Sequence, residues 1–297
     1  MNNIPLIFIP ILLLEAVFYF LPLWPKFSEW FRKLYRPMQA GLIWVSGVAP
    51  MLLLHWAQGK TPDEFPLFAV ALGIVCVWYL VLPKKPMADI LLLGLLAAFI
   101  LLPWFKDMFP SPPGSTKLGF LNKQLWLRVG IGVFLYLRGM KVPGFGLMPT
   151  SQDWWVGTRQ FLYFLAILLP VGFYFNILRI QFPKLSTWVI PFAAVGTFVG
   201  VYLFLALLEE FMFRGVLQQV LIQGLGSKWT GLILASLCFG SVHLPFREFP
   251  NWRFALLSTV AGVFYGLAYE KANSLRAAMI THSLVVTLWT IVFSRSL

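Results

Sequence analysis

Two adjacent glutamates and an arginine follow a long apolar stretch of the sequence. Glu209 and Glu210 come directly after the apolar run 188–208, and Arg214 lies four residues beyond Glu210. A charged side chain in hydrocarbon costs at least about 2.5–3.5 kcal/mol, so such groups usually face a protein interior or a hydrated cavity. In a helix, Glu210 and Arg214 share a face and can form an ion pair, whereas Glu209 is turned away by about 100°. We therefore expect Glu209 to be available for chemistry.

Two of the three histidines follow this motif, both in apolar surroundings. His243 ends the sequence Phe239-Gly240-Ser241-Val242-His243, and His282 lies in the last apolar run. In a helix, Phe239 and His243 share a face, and Gly240 permits the close approach of a neighbouring helix. Because every buried polar side chain requires a partner, we expect the two histidines and the glutamate pair to converge on one cavity.

These residue types could hydrolyse a peptide bond. A glutamate in such a cavity can act as a general base, and a neighbouring histidine can help it to polarise a water molecule. A second histidine can donate to the oxyanion that forms on the attacked carbonyl. The same side chains could instead bind zinc through two histidines and one carboxylate. Because the sequence has no His-Glu-x-x-His motif, we favour a reaction without metal or cofactor, with zinc as the alternative.

The composition is that of a membrane protein. Of the 297 residues, 59% are hydrophobic and 11% are charged, and the mean hydropathy is +0.79. We predict an all-α, polytopic transmembrane helical bundle with about eight to eleven membrane-embedded helices. The net charge of +12 comes mostly from short loops between apolar runs, which fits orientation in a membrane better than nucleic-acid binding. The candidate spans are 4–24, 38–57, 66–83, 88–105, 121–138, 155–176, 187–208, 210–224, 229–243, 253–270 and 274–294.

A change in composition divides the chain. The loop 106–122 contains Pro110-Ser111-Pro112-Pro113-Gly114-Ser115, which cannot continue a helix. We predict accessory transmembrane helices over 1–110 and a motif-bearing bundle over 120–297. The run 4–24 is too long for a cleavable signal, so we expect it to be a retained span.

Two polar side chains of the first part lie within or near apolar runs. Glu15 is in the middle of the first run, and His55 is near the end of the second. We expect Glu15 to be an interior, hydrogen-bonded carboxyl group. We expect His55, which lies beside Trp56, to be at the membrane interface.

The three motifs together resemble those of a known family. Glu209-Glu210-x-x-x-Arg214, Phe239-x-x-x-His243 and His282 are similar, in order and spacing, to the motifs of the CAAX protease and bacteriocin-processing family. This family of intramembrane proteases includes the Ras-converting CAAX endopeptidase. The stretch Gly144-Phe145-Gly146-Leu147 also looks like the segment that leads into the family's core. The resemblance covers roughly residues 140–293.

The resemblance implies a role for each matching residue. Glu209 would activate water together with His243, and the family is now regarded as glutamate-dependent. Glu210 and Arg214 would form a supporting pair. His282 would face the oxyanion, and Phe239 would pack against the bound substrate.

One position departs from the family pattern. The third motif usually has Asn or Asp four residues after its histidine, and here that residue is Val286. Ser283 and Thr287 are nearby candidates for the missing oxyanion donor, and we place Ser283 at the substrate. Because losing one donor typically costs about 10²–10³ in rate, the alternative is a weak or inactive relative that acts as an immunity or scaffold membrane protein. A proton-relay transporter ranks last because no paired half-repeats are found.

The resemblance also implies a substrate class and a location. We expect an intramembrane endopeptidase that cuts near the membrane surface. Its substrate would be prenylated, carry a leader, or end in a hydrophobic C-terminal sorting tail. The first four spans resemble those of longer bacterial members, which implies a multi-pass protein of the bacterial inner (plasma) membrane. Its partners would be membrane lipid and a peptide or protein substrate, not nucleic acid.

Overall fold

The computed structural model describes residues 8–57, 59, 61–108, 120–174, 178, 180, 186–246 and 249–293. Contacts divide the chain into two compact units, Met1–Lys141 and Val142–Leu297. In the described ranges the regular structure is helical, apart from an isolated bridge between Ile180 and Phe293. The predicted all-α helical bundle is therefore confirmed.

The N-terminal unit contains the first six helices. An additional short 3₁₀ turn covers Pro103–Met108. Helix α6 continues as a π-helical turn over Val133–Arg138. The helices are α1 (Phe8–Phe20), α2 (Pro25–Arg32), α3 (Arg36–Ala57), α4 (Phe65–Val81), α5 (Pro86–Leu101) and α6 (Phe120–Gly132).

The C-terminal unit contains the remaining five helices and all the motif residues. Two of these helices begin with a side-chain cap, which supplies an acceptor to an otherwise unpaired amide of the first turn. Ser227 accepts from the Thr230 amide, and Asn251 accepts from the Phe254 amide. The helices are α7 (Ser151–Tyr174), α8 (Ile190–Leu225), α9 (Lys228–Ser241), α10 (Trp252–Ala272) and α11 (Leu275–Val292).

Four of the described helices are long and apolar enough to cross a membrane: α3, α7, α8 and α11. Helices α1 and α2, which are bent by 79° relative to each other, add a fifth if they form one span. The chain is thus a multi-pass membrane protein. The candidate spans 187–208 and 210–224 are one helix of 36 residues, so their division was wrong. The helix continues past the glutamates because Glu210 is neutralised inside the unit.

Glu15 and His55 are both buried polar side chains of the N-terminal unit. Glu15 lies 3.1 Å from Arg128, which also donates to Ser46, so the expectation of an interior hydrogen-bonded carboxyl is confirmed. His55 is only 1% exposed. Its Nε2 atom lies 3.1 Å from the carbonyl oxygen of Met108. His55 is therefore covered by the turn Pro103–Met108 and does not lie on the surface of the unit, and its level in the membrane stays a prediction.

The predicted domain boundary lies in the range 109–119, outside the described residues, and stays a prediction. Helix α6 packs on α3 and α5, so by its contacts it groups with the N-terminal unit.

Candidate active site

Helix α8 changes its winding around the two glutamates. π-Helical segments over Tyr202–Ala206 and Phe211–Gln218 flank the α-helical turn Leu207–Glu210. Hydrogen bonds in a π-helix span five residues instead of four, and such segments are frequent at functional sites. The residue types of α8 do not reveal this change, because it depends on packing in the folded unit.

The carboxylate of Glu210 is fully buried and has two partners. Arg214 Nε donates to Glu210 Oε2 over 3.0 Å, which is the pair expected from the sequence. His282 Nδ1 lies 2.7 Å from Glu210 Oε1. Because a carboxylate paired with arginine accepts hydrogen bonds, His282 Nδ1 carries the proton and donates it. Glu210 therefore connects α8 to α11, a contact that the sequence did not predict.

Glu209 keeps unused hydrogen-bonding capacity. Its side chain is 23% exposed, whereas that of Glu210 is 0% exposed. Glu209 Oε2 is buried and has no hydrogen-bond partner among the described residues. It lies 3.9 Å from His282 Nε2, which is longer than a hydrogen bond. An oxygen atom of a bound molecule that lies between Glu209 Oε2 and His282 Nε2, slightly to one side, can be within hydrogen-bonding distance of both.

His243 lies just beyond the end of α9 and is half-buried. Its Nδ1 atom is 2.7 Å from the carbonyl oxygen of Phe239, which can only accept, so Nδ1 carries the proton. The neutral ring then has its lone pair on Nε2, where it can accept a proton. Among the described residues His243 makes no hydrogen bond to Glu209, so the water that they are expected to share stays a prediction.

Phe239 connects the two histidines. Its ring centroid is 4.8 Å from that of His243 and 5.9 Å from that of His282. Only 2% of Phe239 is exposed, so it supports the site from within the bundle and has little surface for a substrate. Gly240, next to it, faces α10: a Cβ at this position would lie 2.5 Å from the carbonyl oxygen of Ala255. The close helix approach expected at Gly240 is present.

The guanidinium group of Arg214 is enclosed by aromatic rings. Its Nη1 and Nη2 atoms have no hydrogen-bond partner among the described residues. Its central carbon lies 5.1 Å from the ring centroid of Phe239, with Phe213 and Tyr265 at 5.9 and 6.0 Å. Attraction between a cation and aromatic faces partly replaces the missing hydrogen bonds. Gly262 leaves the necessary room, since a Cβ there would be 3.3 Å from Nη2.

Tyr265 is a site neighbour that sequence reasoning missed. Its ring stacks on that of His282, with centroids 4.6 Å apart and planes 11° apart. It also meets Phe239 edge to face at 5.8 Å. The glycines Gly262 and Gly266, four residues apart, indicated a close helix contact beside Tyr265. Nothing in the sequence linked that contact to His282.

Ser283 and Thr287, the two hydroxyl-bearing candidates near Val286, differ in whether the hydroxyl group already has a partner. Ser283 is buried, and its Oγ donates 2.7 Å to the Met279 carbonyl, so its proton is not available to a substrate. The place of Ser283 at the substrate stays a prediction. Val286 is half-buried on α11. Thr287 Oγ1 is buried without a partner among the described residues, which makes Thr287 the better candidate.

The lead-in segment, residues 142–148, packs on the helices that carry the site. Gly144 has a φ of +69°, and a Cβ there would lie 2.7 Å from the Leu275 amide nitrogen, so glycine is required. The amide of Leu275, at the start of α11, donates a hydrogen bond to the carbonyl oxygen of Pro143. Phe145 packs edge to face on Phe211, directly after the glutamate pair, at a centroid distance of 5.4 Å.

The donor groups of the site do not form a metal-binding group in the described ranges. There, no three His, Cys, Asp or Glu side chains come together in a way that could hold a metal ion. His282 Nδ1 is already engaged by Glu210, which leaves only Nε2 for a ligand. The reaction without metal, and the two-histidine, one-carboxylate zinc site as its alternative, stay predictions.

Carboxylate and imidazole groups buried between apolar helices define a candidate intramembrane hydrolase site, and comparison with known families agrees. Residues 188–288 match the family described as Type II CAAX prenyl endopeptidase Rce1-like. This range extends from just before α8 into α11 and includes both glutamates, Arg214 and both histidines. The match is to a CAAX prenyl endopeptidase family and agrees with the resemblance that the three motifs indicate. Neither the curated proteins nor the solved structures give a match.

The buried pair predicts a stability effect. Removing either partner, by Glu210→Ala or Arg214→Ala, leaves an uncompensated buried charge and should destabilise the protein by about 3–5 kcal/mol. Folding yield and thermal stability in detergent measure this effect. Arg253→Ala removes an exposed arginine from α10 and serves as the control. If all three variants are as stable as the parent chain, the structural role of the pair is wrong.

The stacking of Tyr265 on His282 predicts an effect on rate. Tyr265→Leu removes the flat face that orients the imidazole and should slow substrate processing in membranes by up to about 10²-fold at an equal protein level. Tyr265→Phe keeps that face and should restore most of the rate. Equal rates for the leucine and phenylalanine variants would show that the ring does not position His282.

Proposed function

We propose that this protein is an intramembrane endopeptidase that cleaves a peptide bond near the membrane surface. The proposal rests on one observation: the two adjacent glutamates differ in how many of their oxygen atoms have hydrogen-bond partners. Glu210 has both oxygens engaged, by Arg214 and His282. Glu209 has a buried oxygen without a partner among the described residues. A carboxylate with such an oxygen, close to a histidine, is suited to act as a general base.

In the proposed reaction Glu209 accepts a proton from a water molecule while the water oxygen attacks the carbonyl carbon. His243 holds this water through the lone pair on Nε2, the nitrogen left unprotonated by the contact with Phe239. The carbon–nitrogen bond then breaks, and Glu209 passes the proton to the leaving amine. No metal ion takes part in these steps.

His282 is the proposed donor to the oxyanion. In the proposed step the ring carries a proton on both nitrogens, and its Nδ1–H donates to the carboxylate of Glu210. Its Nε2–H can then donate to the negative oxygen of the tetrahedral intermediate. A preorganised donor of this kind is typically worth about 10²–10³ in rate. Tyr265 and Glu210 keep the ring in this orientation.

The proposed substrate is a protein or peptide that reaches the site from the membrane. The description of the matching family, a CAAX prenyl endopeptidase, supports a prenylated substrate. A leader-bearing protein or one with a hydrophobic C-terminal sorting tail has the same amphiphilic character. We place the protein in the bacterial inner membrane, with membrane lipid and this substrate as partners and no role in nucleic-acid binding.

One observation favours a second candidate function. Val286 supplies no hydrogen bond where the family usually has Asn or Asp, and the proton of Ser283 is used within α11. A protein without a second oxyanion donor would be slow or inactive and could act as an immunity or scaffold membrane protein. Thr287 is the residue that would preserve hydrolysis, through its unpartnered hydroxyl.

Replacement of the proposed base tests the function. Glu209→Gln keeps the size of the side chain but removes its basicity, so processing should be abolished at an unchanged protein level. The assay co-expresses the protein with a prenylated, a leader-bearing and a sorting-tail substrate and follows cleavage by mass. Glu64→Gln, at an exposed position, is the control. Unchanged processing by Glu209→Gln would reject the mechanism, and no cleavage by the parent chain would favour the immunity or scaffold function.

Metal dependence is a separate prediction. We expect purified protein to contain less than stoichiometric zinc and to keep its activity after treatment with a chelator, because the proposed base needs no metal. Elemental analysis and the cleavage assay measure these two quantities. Loss of activity with the chelator, followed by recovery on addition of zinc, would show that the metal-dependent mechanism is correct.

A further inference from the structure

Three basic side chains of the N-terminal unit gather at one end of its helices. This basic cluster consists of Arg36 at the start of α3, Lys84 between α4 and α5, and Arg138 at the end of α6. Arg36 Nη2 donates to the carbonyl oxygens of Tyr79 and Leu137, over 2.7 and 2.9 Å. Lys84 Nζ would be 3.9 Å from a Cβ placed on Gly139. The three cations therefore lie around the same helix ends.

The cluster has more positive than negative charge. Asp89 is fully buried and uses both oxygens for Arg138, at 2.7 and 3.0 Å. The hydroxyl of Tyr79 donates to the same carboxylate over 2.6 Å. Among the described residues no carboxylate forms an ion pair with Arg36 or Lys84. One negative charge thus faces three positive ones.

Part of this excess is balanced by the backbone. The carbonyl groups at the end of an α-helix carry partial negative charge, and Arg36 binds two such groups from α4 and α6. This balance does not extend to Lys84, whose pKa is lowered by a partial loss of contact with water and by the nearby charges of Arg36 and Arg138. A bound anion would relieve this repulsion.

The surroundings of Lys84 identify the kind of anion. The turn that carries Lys84 joins two apolar helices, α4 and α5. On either side of the turn, Val81 is 76% and Met87 is 66% exposed. Exposed apolar side chains beside an unpaired cation match an amphiphile with a negative headgroup. A free phosphate ion would interact with the cation but not with these apolar side chains.

We propose that the basic cluster binds the phosphate of an anionic phospholipid, whose acyl chains contact the exposed side chains of Val81 and Met87. Lys84 and the outward-facing part of Arg36 hold the headgroup, while Arg138 remains paired with Asp89. Basic groups between membrane helices are suited to such headgroups. The bound lipid would fix the relative positions of the ends of α4 and α6 and the start of α5. This binding site is independent of the proposed peptidase activity.

The experiment measures lipid binding to the purified full-length chain by native mass spectrometry in detergent. Phosphatidylglycerol and phosphatidylcholine with identical acyl chains are titrated separately, and a third titration adds inorganic phosphate as a competitor. Lys84→Gln should weaken phosphatidylglycerol binding about fivefold and leave phosphatidylcholine binding unchanged, because one cation near the headgroup is removed. Lys228→Gln, which removes an exposed lysine at the start of α9, should bind both lipids like the parent chain.

Each other outcome overturns the proposal. Unchanged phosphatidylglycerol binding by Lys84→Gln would show that the cluster does not hold the headgroup. An equal loss in Lys228→Gln would show that net charge, not the cluster, attracts the lipid. Displacement of the lipid by millimolar phosphate would identify a phosphate site instead of a lipid site. Because Lys84 is exposed and caps no helix carbonyl in the described structure, its replacement should not impair folding.

Discussion

The carboxylate of Glu210 accepts from Arg214 through one oxygen and from His282 through the other, and the C-terminal unit depends on this arrangement. A buried carboxylate costs several kcal/mol unless it is paired and hydrogen-bonded. Arg214 satisfies that need within α8, whereas His282 satisfies it from α11. The two helices are therefore joined at one point inside the unit. Since both oxygens of Glu210 are engaged, the carboxylate that has an unpartnered oxygen is that of its neighbour Glu209.

The local part of this arrangement could be predicted from the sequence. Glu210 and Arg214 lie on one helix at a spacing that brings them together, so helix geometry alone places the pair. The contact of His282 with Glu210 depends on how α11 is rotated against α8, and a sequence does not contain that angle. The same holds for Tyr265, which is oriented by the packing of α10. Ser283 is a similar case: its position near His282 suggested a role, but the sequence did not reveal that its hydroxyl donates to the carbonyl of Met279 in its own helix.

Apolar periodicity located the helices but not all of their ends or surroundings. Helix α8 continues through two predicted spans because Glu210 and Arg214 pair with each other in the interior, so this pair does not mark a boundary. His55 was expected at the interface because it lies next to Trp56. It is buried because a later segment, Pro103–Met108, returns to cover it. In both cases the deciding contact comes from residues distant in the chain, which composition and spacing do not describe.

The ion pair inside α8 also has a consequence for biogenesis. Because acid and base lie one turn apart on the same helix, they can neutralise each other as soon as that helix leaves the translocon, long before the C-terminal helix is synthesised. The nascent helix can then partition into lipid with its charges already compensated. The imidazole of His282 follows on α11 and supplies the second partner of Glu210. Insertion of α8 and formation of the contact between Glu210 and His282 are thereby separated in time.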